Sequence, residues 1–233
     1  MNSSLAIEIT GINKSFGRKE LFRNLNFSVK WGESIVVIGS NGSGKTTLIS
    51  LIATLSAVDS GSIIVSGLDV SRDPEQIRSN IGFIAHETLL YDELSGYENL
   101  QFVGRMYGIT DIDRKVMSVA VQLGLEDRIN ERISTLSHGL KKRFSIARAL
   151  IHEPRILLMD EPEAGLDSAT VDILGDIVRK HSASGGASVI TTHSLQGITK
   201  IADRIAKLSS NGSLIEESIN GYVNNNDEIV NRS

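Results

Sequence analysis

The stretch GSNGSGKTT, residues 39–47, decides the fold of this chain. It follows the apolar run SIVVI and fits the pattern G-x-x-x-x-G-K-[ST]. Its glycines let successive backbone N–H groups turn around one anion, and Lys45 adds a positive charge for the β- and γ-phosphates. The hydroxyl of Thr46 suits Mg²⁺. We therefore expect a phosphate-binding loop before a helix, formed by Gly39, Ser40, Asn41, Gly42, Ser43, Gly44, Lys45, Thr46 and Thr47.

Strands and helices alternate along the rest of the chain. The short apolar runs GSIIVSG, RILLMDEP and ASVITTH predict buried strands, and apolar residues at helical spacing between them predict helices. This alternation predicts an α/β fold with a mostly parallel sheet covered on both faces. We expect one domain over residues 1–218, with a helical subdomain inserted at about 87–150. The asparagine-rich segment 219–233 is expected to be a flexible tail.

Composition excludes several classes of protein. The 233 residues carry a net charge of −4, which disfavours a nucleic-acid partner because phosphate backbones attract basic surfaces. The absence of cysteine excludes disulfides and thiolate metal sites. The N-terminus MNSSLAIEIT lacks the pattern of a signal peptide, and no apolar run approaches the roughly 20 residues that cross a bilayer. We expect a chain that does not span a membrane itself.

Two predicted strands end in polar residues that suit phosphate chemistry. Asp160 in ILLMDEP would hold Mg²⁺ through water, and Glu161 could take a proton from an attacking water. His193 follows ASVITT at the same edge of a parallel sheet, where an imidazole could donate to a γ-phosphate. The alternative interpretations are two solvated carboxylates in a turn and an ordinary surface or core histidine.

A second candidate anion site lies in LSHGLKKR, residues 136–143. Ser137 could offer its hydroxyl, and Gly139 its backbone N–H, to an anion at a helix start. The simpler alternative is that Ser137 is an ordinary helix N-cap. We expect Lys141, Lys142 and Arg143 to form a solvated helix face, and the alternative is a contact with a membrane partner or a second copy of the chain.

In this order, the motifs resemble those of the ATP-binding subunit of an ABC transporter. The resemblance covers about residues 7–215 and rests on KSFG, GSNGSGKTT, IGFIAHETLLYDELSGYENL, LSHGLKKR, ILLMDEP, AGLD and TTH. It implies a P-loop NTPase core with a mostly parallel sheet, N-terminal antiparallel strands and an inserted α-helical subdomain. The implied ligands are ATP and Mg²⁺.

The resemblance also implies residue roles. Phe16 would stack on adenine, His86 would stand at the Q-loop, and Asp167 would lie at a dimer seam. Ser137 and Gly139 would act in trans, on the nucleotide of a second copy. Asp160, Glu161 and His193 would assist the metal, act as general base and sense the γ-phosphate.

Three residues depart from the family pattern. His86 stands where a glutamine is usual, His138 replaces the second glycine of the signature, and Leu140 replaces its glutamine. A histidine in the Q-loop with a non-glycine signature residue is similar to the haem-exporter branch of cytochrome c maturation and to ABC-2-type exporters.

The leading hypothesis is an ATPase that pairs as a homodimer with ATP and powers a separate membrane subunit. It would be cytoplasmic and peripheral on the inner face of the cell membrane. Its cargo would be haem, or alternatively a drug, lipid or polysaccharide. A soluble ABC ATPase acting on DNA or ribosomes and a P-loop kinase are the other classes; stimulation by nucleic acid, or phosphorylation of a small molecule, would distinguish them.

Overall fold

A computed structural model describes residues 4–193 and 202–217. These residues form ten strands and six α-helices. The strands are β1 (Leu5–Phe16), β2 (Lys19–Lys30), β3 (Ser34–Ile38), β4 (Ser60–Val65), β5 (Leu68–Asp69), β6 (Ile81–Ile84), β7 (Ile156–Asp160), β8 (Ala187–Thr192), β9 (Arg204–Leu208) and β10 (Leu214–Glu217). The helices are α1 (Lys45–Ile52), α2 (Pro74–Ser79), α3 (Gly96–Met106), α4 (Ile112–Gln122), α5 (His138–Leu150) and α6 (Ser168–Ala183).

The strands form two sheets. One has four antiparallel strands in the order β2-β1-β4-β5. The other has six strands in the order β10-β9-β3-β8-β7-β6, all parallel except for the antiparallel pair of β9 and β10. The predicted α/β fold, with a mostly parallel sheet and N-terminal antiparallel strands, is confirmed.

The parallel sheet is buried on both faces, which explains its continuous apolar runs. In β3, Ile35 and Val37 pack into a core shared with α1 and the antiparallel sheet. The alternate residues, Val36 and Ile38, pack into a second core with the helices of the opposite layer. Because successive side chains of a strand point to opposite faces, one short strand joins both cores.

The stretch between β6 and β7 is helical, as its periodicity predicts. It holds α3, α4, α5 and two short 3₁₀ turns, Glu126–Arg128 and Ile133–Thr135. Helices α3 and α5 approach closely because Gly96 lacks a side chain: a Cβ there would lie 2.2 Å from Cε1 of the buried Phe144. In the described part of the chain, no helix has the length and apolarity needed to cross a bilayer. The predicted tail, 219–233, lies outside the described residues.

Candidate nucleotide-binding site

The predicted phosphate loop joins β3 to α1. Gly42 and Gly44 adopt φ values of 77° and 108°, in the left-handed region that favours glycine. Gly44 is also the N-cap of α1, and a Cβ on it would lie 2.7 Å from Cε1 of Phe22. The loop is closed by a hydrogen bond of 3.1 Å from Ser43 N to the carbonyl of Ser40. It therefore curls over the N-terminal end of a helix, where backbone N–H groups and the helix dipole favour an anion.

Lys45 turns back into this loop. Its side chain is only 6% exposed, and its Nζ donates to the carbonyl of Gly39 at 2.9 Å and to that of Ser40 at 3.4 Å. The same Nζ lies 3.5 Å from Oε1 of Glu161. The ammonium thus stands between the loop and the acidic end of β7, at a point where a phosphate group would replace these neutral acceptors.

Asp160 links three elements at the carboxyl edge of the sheet. It is buried, and its two carboxylate oxygens accept from the hydroxyls of Thr46, at 2.8 Å, and Thr191, at 2.6 Å. Carboxylate and hydroxyl oxygens are the ligands that Mg²⁺ prefers, and this ion usually binds one or two protein oxygens together with substrate phosphates. Among the described residues no cluster of three or more metal-ligating side chains occurs. The donor set fits an ion shared with a nucleotide.

Glu161 stands beside both Lys45 and His193. Its Oε2 lies 3.3 Å from Nδ1 of His193, and its backbone N–H donates to the carbonyl of Thr191. Its φ of 47° is unusual for a residue with a side chain. Strained backbone of this kind is concentrated at functional sites. The three side chains therefore converge, although their chemical roles stay predictions.

A cavity of about 390 Å³ opens in front of the loop. Its wall includes eight of the predicted residues: Phe16, Asn41, Gly42, Gly44, Lys45, Thr46, Thr47 and Glu161. The ring of Phe16 is 55% exposed, and Nζ of Lys14 lies 5.1 Å from its centroid. Asp59 fixes this segment by accepting from the backbone N–H of Ser15 at 2.7 Å. An aromatic face is thus available beside a phosphate loop.

A larger cleft of about 620 Å³ lies between α4 and the C-terminal end of α6. Lys115, Arg155 and Lys180 are among the residues that line it, and it includes none of the predicted site residues. Its position beside the turn before β8 puts it at the opposite edge of the parallel sheet. Volume alone therefore does not locate the site.

Ser137 and Gly139 do not line the 390 Å³ cavity. Ser137 is exposed and caps α5, its Oγ accepting from the backbone N–H of Leu140 at 3.4 Å. The imidazole of His138 packs on Gly165, where a Cβ would lie 2.6 Å from its Cδ2. Asp167 caps α6 and pairs with Arg143 at 3.2 Å. The start of α5 thus lies outside the cavity of the chain's own phosphate loop.

His86 follows β6 and is exposed. Its backbone carbonyl accepts from Nζ of Lys142 at 3.3 Å, and the carbonyl of Ala85 accepts from the same Nζ at 2.8 Å. The predicted solvated face of α5 is therefore wrong at this position, because Lys142 is only 1% exposed. Its neighbours differ: Lys141 pairs with the exposed Asp92 at 3.2 Å, and Arg143 remains partly exposed.

Sequence patterns did not identify Thr191 or Glu163 as residues near the site, and they placed Lys142 on a solvated face. Thr191 carried a signal, since it comes one residue before the end of a buried strand. Lys142 shares a helical stripe with the buried residues Ser145 and Ile146, at i+3 and i+4. Glu163 accepts from the hydroxyl of Thr192, and burial raises the pKa of its carboxyl. No sequence spacing reveals that contact, because it joins a loop to a strand end.

Comparison with known proteins accounts for this arrangement. Residues 22–164 match the family model described as ABC transporter. The chain belongs to the ABC transporter family. The relatives below are named as ATP-binding proteins of resistance and export systems.

Two curated relatives and two solved structures illustrate the match. The linearmycin resistance ATP-binding protein LnrL of Bacillus subtilis is 35% identical over 201 residues. The matched residues make up 85% of this chain and 65% of LnrL, so the chain spans about two thirds of that relative's length. The Nod factor export ATP-binding protein I of Rhizobium sp. strain N33 is 34% identical, over 93% of this chain and 72% of its own length. An ATP-binding subunit of an ABC transporter superposes with a TM-score of 0.86 at 26% identity, covering 93% and 91% of the two chains. A dimeric bacterial ABC transporter cassette superposes with a TM-score of 0.83 at 25% sequence identity, covering 91% of this chain and 98% of the cassette.

The close packing of Gly44 gives a test of the loop. We expect Gly44→Ala to weaken nucleotide binding and to lower the free energy of unfolding by about 1–3 kcal/mol, because the new Cβ meets the buried Phe22 at a strained φ. Gly67→Ala is the matched control: its φ is 80°, but no described atom lies within 4 Å of its Cβ position. The control should lose only about 1 kcal/mol and bind a fluorescent ATP analogue normally. Equal loss of binding in both variants, measured by titration and urea unfolding, would contradict this account.

Proposed function

We propose that this chain binds and hydrolyses ATP, with Mg²⁺, to power transport by a separate integral membrane subunit. The observation that carries the proposal is that Glu161 meets two residues distant in sequence: its carboxylate oxygens lie 3.5 Å from Nζ of Lys45 and 3.3 Å from Nδ1 of His193. The unit that does this is a single ABC ATPase domain over residues 1–218, with its helical subdomain at about 87–150.

The nucleotide is held at both ends. The exposed ring of Phe16 stacks on adenine, and the loop N–H groups with Lys45 bind the β- and γ-phosphates. Thr46 and Asp160 would hold Mg²⁺, Asp160 through water, and the ion would supply charge neutralisation at the phosphates. Thr191 holds the second carboxylate oxygen of Asp160 and thereby fixes its orientation.

Hydrolysis needs a base and a donor at the terminal phosphate. Glu161 accepts the proton of the attacking water, from a backbone conformation that keeps its carboxylate between Lys45 and His193. His193 donates to the γ-phosphate, and His86 contacts the same end of the nucleotide from the Q-loop. Such contacts lower the barrier because they form where charge develops.

The second half of each site comes from another copy of the chain. Ser137 and Gly139 stand at a helix start that suits an anion, yet they lie off their own chain's cavity. A two-fold homodimer brings this start to the partner's γ-phosphate, with Asp167 at the seam. Each hydrogen bond to the charged phosphate contributes about 1.5–3 kcal/mol, which is lost when the phosphate leaves. Hydrolysis therefore favours opening.

The membrane partner docks on an apolar surface beside α3. Tyr91 and Phe102 are 55% and 43% exposed, with ring centroids 5.4 Å apart, and Met106 is 72% exposed. Contiguous exposed apolar side chains are typical of protein–protein contact sites. The chain is then cytoplasmic and peripheral on the inner face of the membrane. Its net charge of −4 disfavours nucleic acid as a partner.

The cargo is a drug, lipid or polysaccharide carried by an ABC-2-type exporter, rather than haem. Two relatives support this choice, one named for resistance to an antibiotic and the other for Nod factor export. Haem export is the alternative that the histidines of the Q-loop and signature suggested.

Replacing the base tests hydrolysis. We expect Glu161→Gln to lower kcat by about 10²–10⁴-fold, because the amide cannot accept the proton, and to leave an ATP-bound dimer in light scattering. Glu153→Gln is the control, since the Glu153 side chain is 80% exposed and pairs with Lys115 on the surface. The control should hydrolyse ATP normally. A Glu161→Gln chain that stays monomeric with saturating ATP would count against the sandwich.

The split site has a stricter test. We expect Ser137→Arg to prevent pairing and hydrolysis while ATP still binds the monomer; Ser118→Arg, on the exposed face of α4, should change neither. A mixture of Ser137→Arg and Lys45→Ala chains forms one complete site in each mixed dimer. In an equal mixture about half of the dimers are mixed and each has one of its two sites intact, so the mixture should regain roughly a quarter of wild-type activity. A mixture as inactive as its components would refute a site built from two chains.

Cargo is tested in cells. Loss of the chain should raise susceptibility to an exported antibiotic, and wild type but not Lys45→Ala should restore resistance, because the lysine holds the phosphates. The content of c-type cytochromes, measured by haem staining, should not change. Loss of these cytochromes with unchanged susceptibility would favour haem instead.

A further inference from the structure

Lys142 is a buried charge that the proposed chemistry does not use. It is 1% exposed, although it stands between Lys141 and Arg143 in a run of three basic residues. Burying an ammonium is costly unless hydrogen-bond acceptors or opposite charges compensate. Its position therefore needs a specific set of partners, and the described contacts supply them.

The first partners are two backbone carbonyls. Nζ donates to the carbonyl of Ala85 at 2.8 Å and to that of His86 at 3.3 Å. These residues follow the short strand β6, and the side chain of His86 is exposed. By contrast, Lys142 lies on α5, a helix of 13 residues whose buried face includes Phe144 and Ile146. These two hydrogen bonds thus attach the loop after β6 to a well-packed helix.

The second partners are acids at the end of β7. Burial lowers the pKa of Lys142, while the negative charges of Glu163, Asp160 and Glu161, in that order, act to raise it. Two of these acids belong to the proposed metal and base positions. The ammonium therefore lies in the electric field of the nucleotide site, without lining its cavity.

We propose that Lys142 is a positioning residue that holds His86 at its own chain's nucleotide, and that it does so from the helix whose first residues serve the partner's nucleotide. This inference rests on the proposed function. It assigns two jobs to α5: Ser137 and Gly139 act in trans, while Lys142, in the second turn, acts in cis through His86.

The first test compares single and double variants. Lys142→Met keeps an unbranched side chain but removes the donor, and should lower kcat at least about tenfold, the effect of one lost bond to a charged group, with KM for ATP unchanged. Lys141→Met is the matched control and should leave kcat unchanged, because its partner Asp92 is exposed. His86→Ala should reproduce the loss, and the double variant should add little to it, since both changes act at one position.

The second test separates cis from trans by mixing chains. In a mixture of Lys142→Met and Ser137→Arg chains, each mixed dimer has one complete site. The Ser137→Arg chain supplies Lys142, His86 and Lys45 to that site, and the Lys142→Met chain supplies Ser137. Activity should therefore return. Lys142→Met mixed with Lys45→Ala leaves no such site and should be no more active than Lys142→Met alone. Recovery in the second mixture instead of the first would overturn the cis assignment.

Other results decide against the inference or against its basis. A Lys142→Met chain with a lower unfolding temperature but normal kcat per folded molecule would show a structural lysine only. Fully additive losses in Lys142→Met and His86→Ala would also overturn the inference. A wild-type chain that hydrolyses ATP without pairing would overturn the proposed dimer, and that result is visible before any Lys142 variant is made.

Discussion

The site depends on one buried carboxylate that accepts two hydroxyl hydrogen bonds. Asp160 binds Thr46 at 2.8 Å and Thr191 at 2.6 Å, and so connects the first turn of α1 with the ends of β7 and β8. The parallel register pairs Asp160 directly with Thr191, which makes the second bond a consequence of the sheet. The contact with Thr46 joins the first turn of α1 to the acidic end of β7, the two places from which Lys45 and Glu161 approach each other.

Two cores make this edge rigid enough for strained backbone. The β3 strand packs against both, and the phosphate loop leaves its end directly. Gly44 at φ 108° adopts a conformation that favours glycine, whereas Glu161 at φ 47° holds an unfavourable one that persists only where the surroundings determine it. Packing on both faces of the parallel sheet supplies that constraint. The continuous apolar runs are therefore part of the site's construction as well as of the fold.

Local patterns predicted the fold well, because each depends on a few neighbouring residues. The glycine-rich loop, the apolar strands and the helical stretch before β7 all lie where their patterns indicated. The strand β6 had no such signal, since it has four residues and includes Gly82, where a Cβ would lie 2.6 Å from the carbonyl of Ala149. The contact of Glu163 with Thr192, and the turn of Lys142 into the core, arise from packing between distant segments. Lysine and glutamate are usually exposed, so residue type alone predicts an exposed side chain at both positions.

The buried Lys142 also offers a way to couple the two nucleotide sites of the proposed dimer. Ser137 and Lys142 are on the same helix, one at its cap and the other in its second turn, so they move together if α5 moves as a rigid body. The acids near Lys142 attract its charge, whereas ATP brings further negative charge to the same edge of the sheet. In the proposed dimer, binding of a chain's own nucleotide would therefore act on the helix that we assign to the partner's nucleotide. A hydrophobic side chain at position 142 would fill the space at lower cost in desolvation but would carry no such coupling. The ammonium of Lys142 is best explained by its contacts with the carbonyls after β6 and by its attraction to the acids at the end of β7.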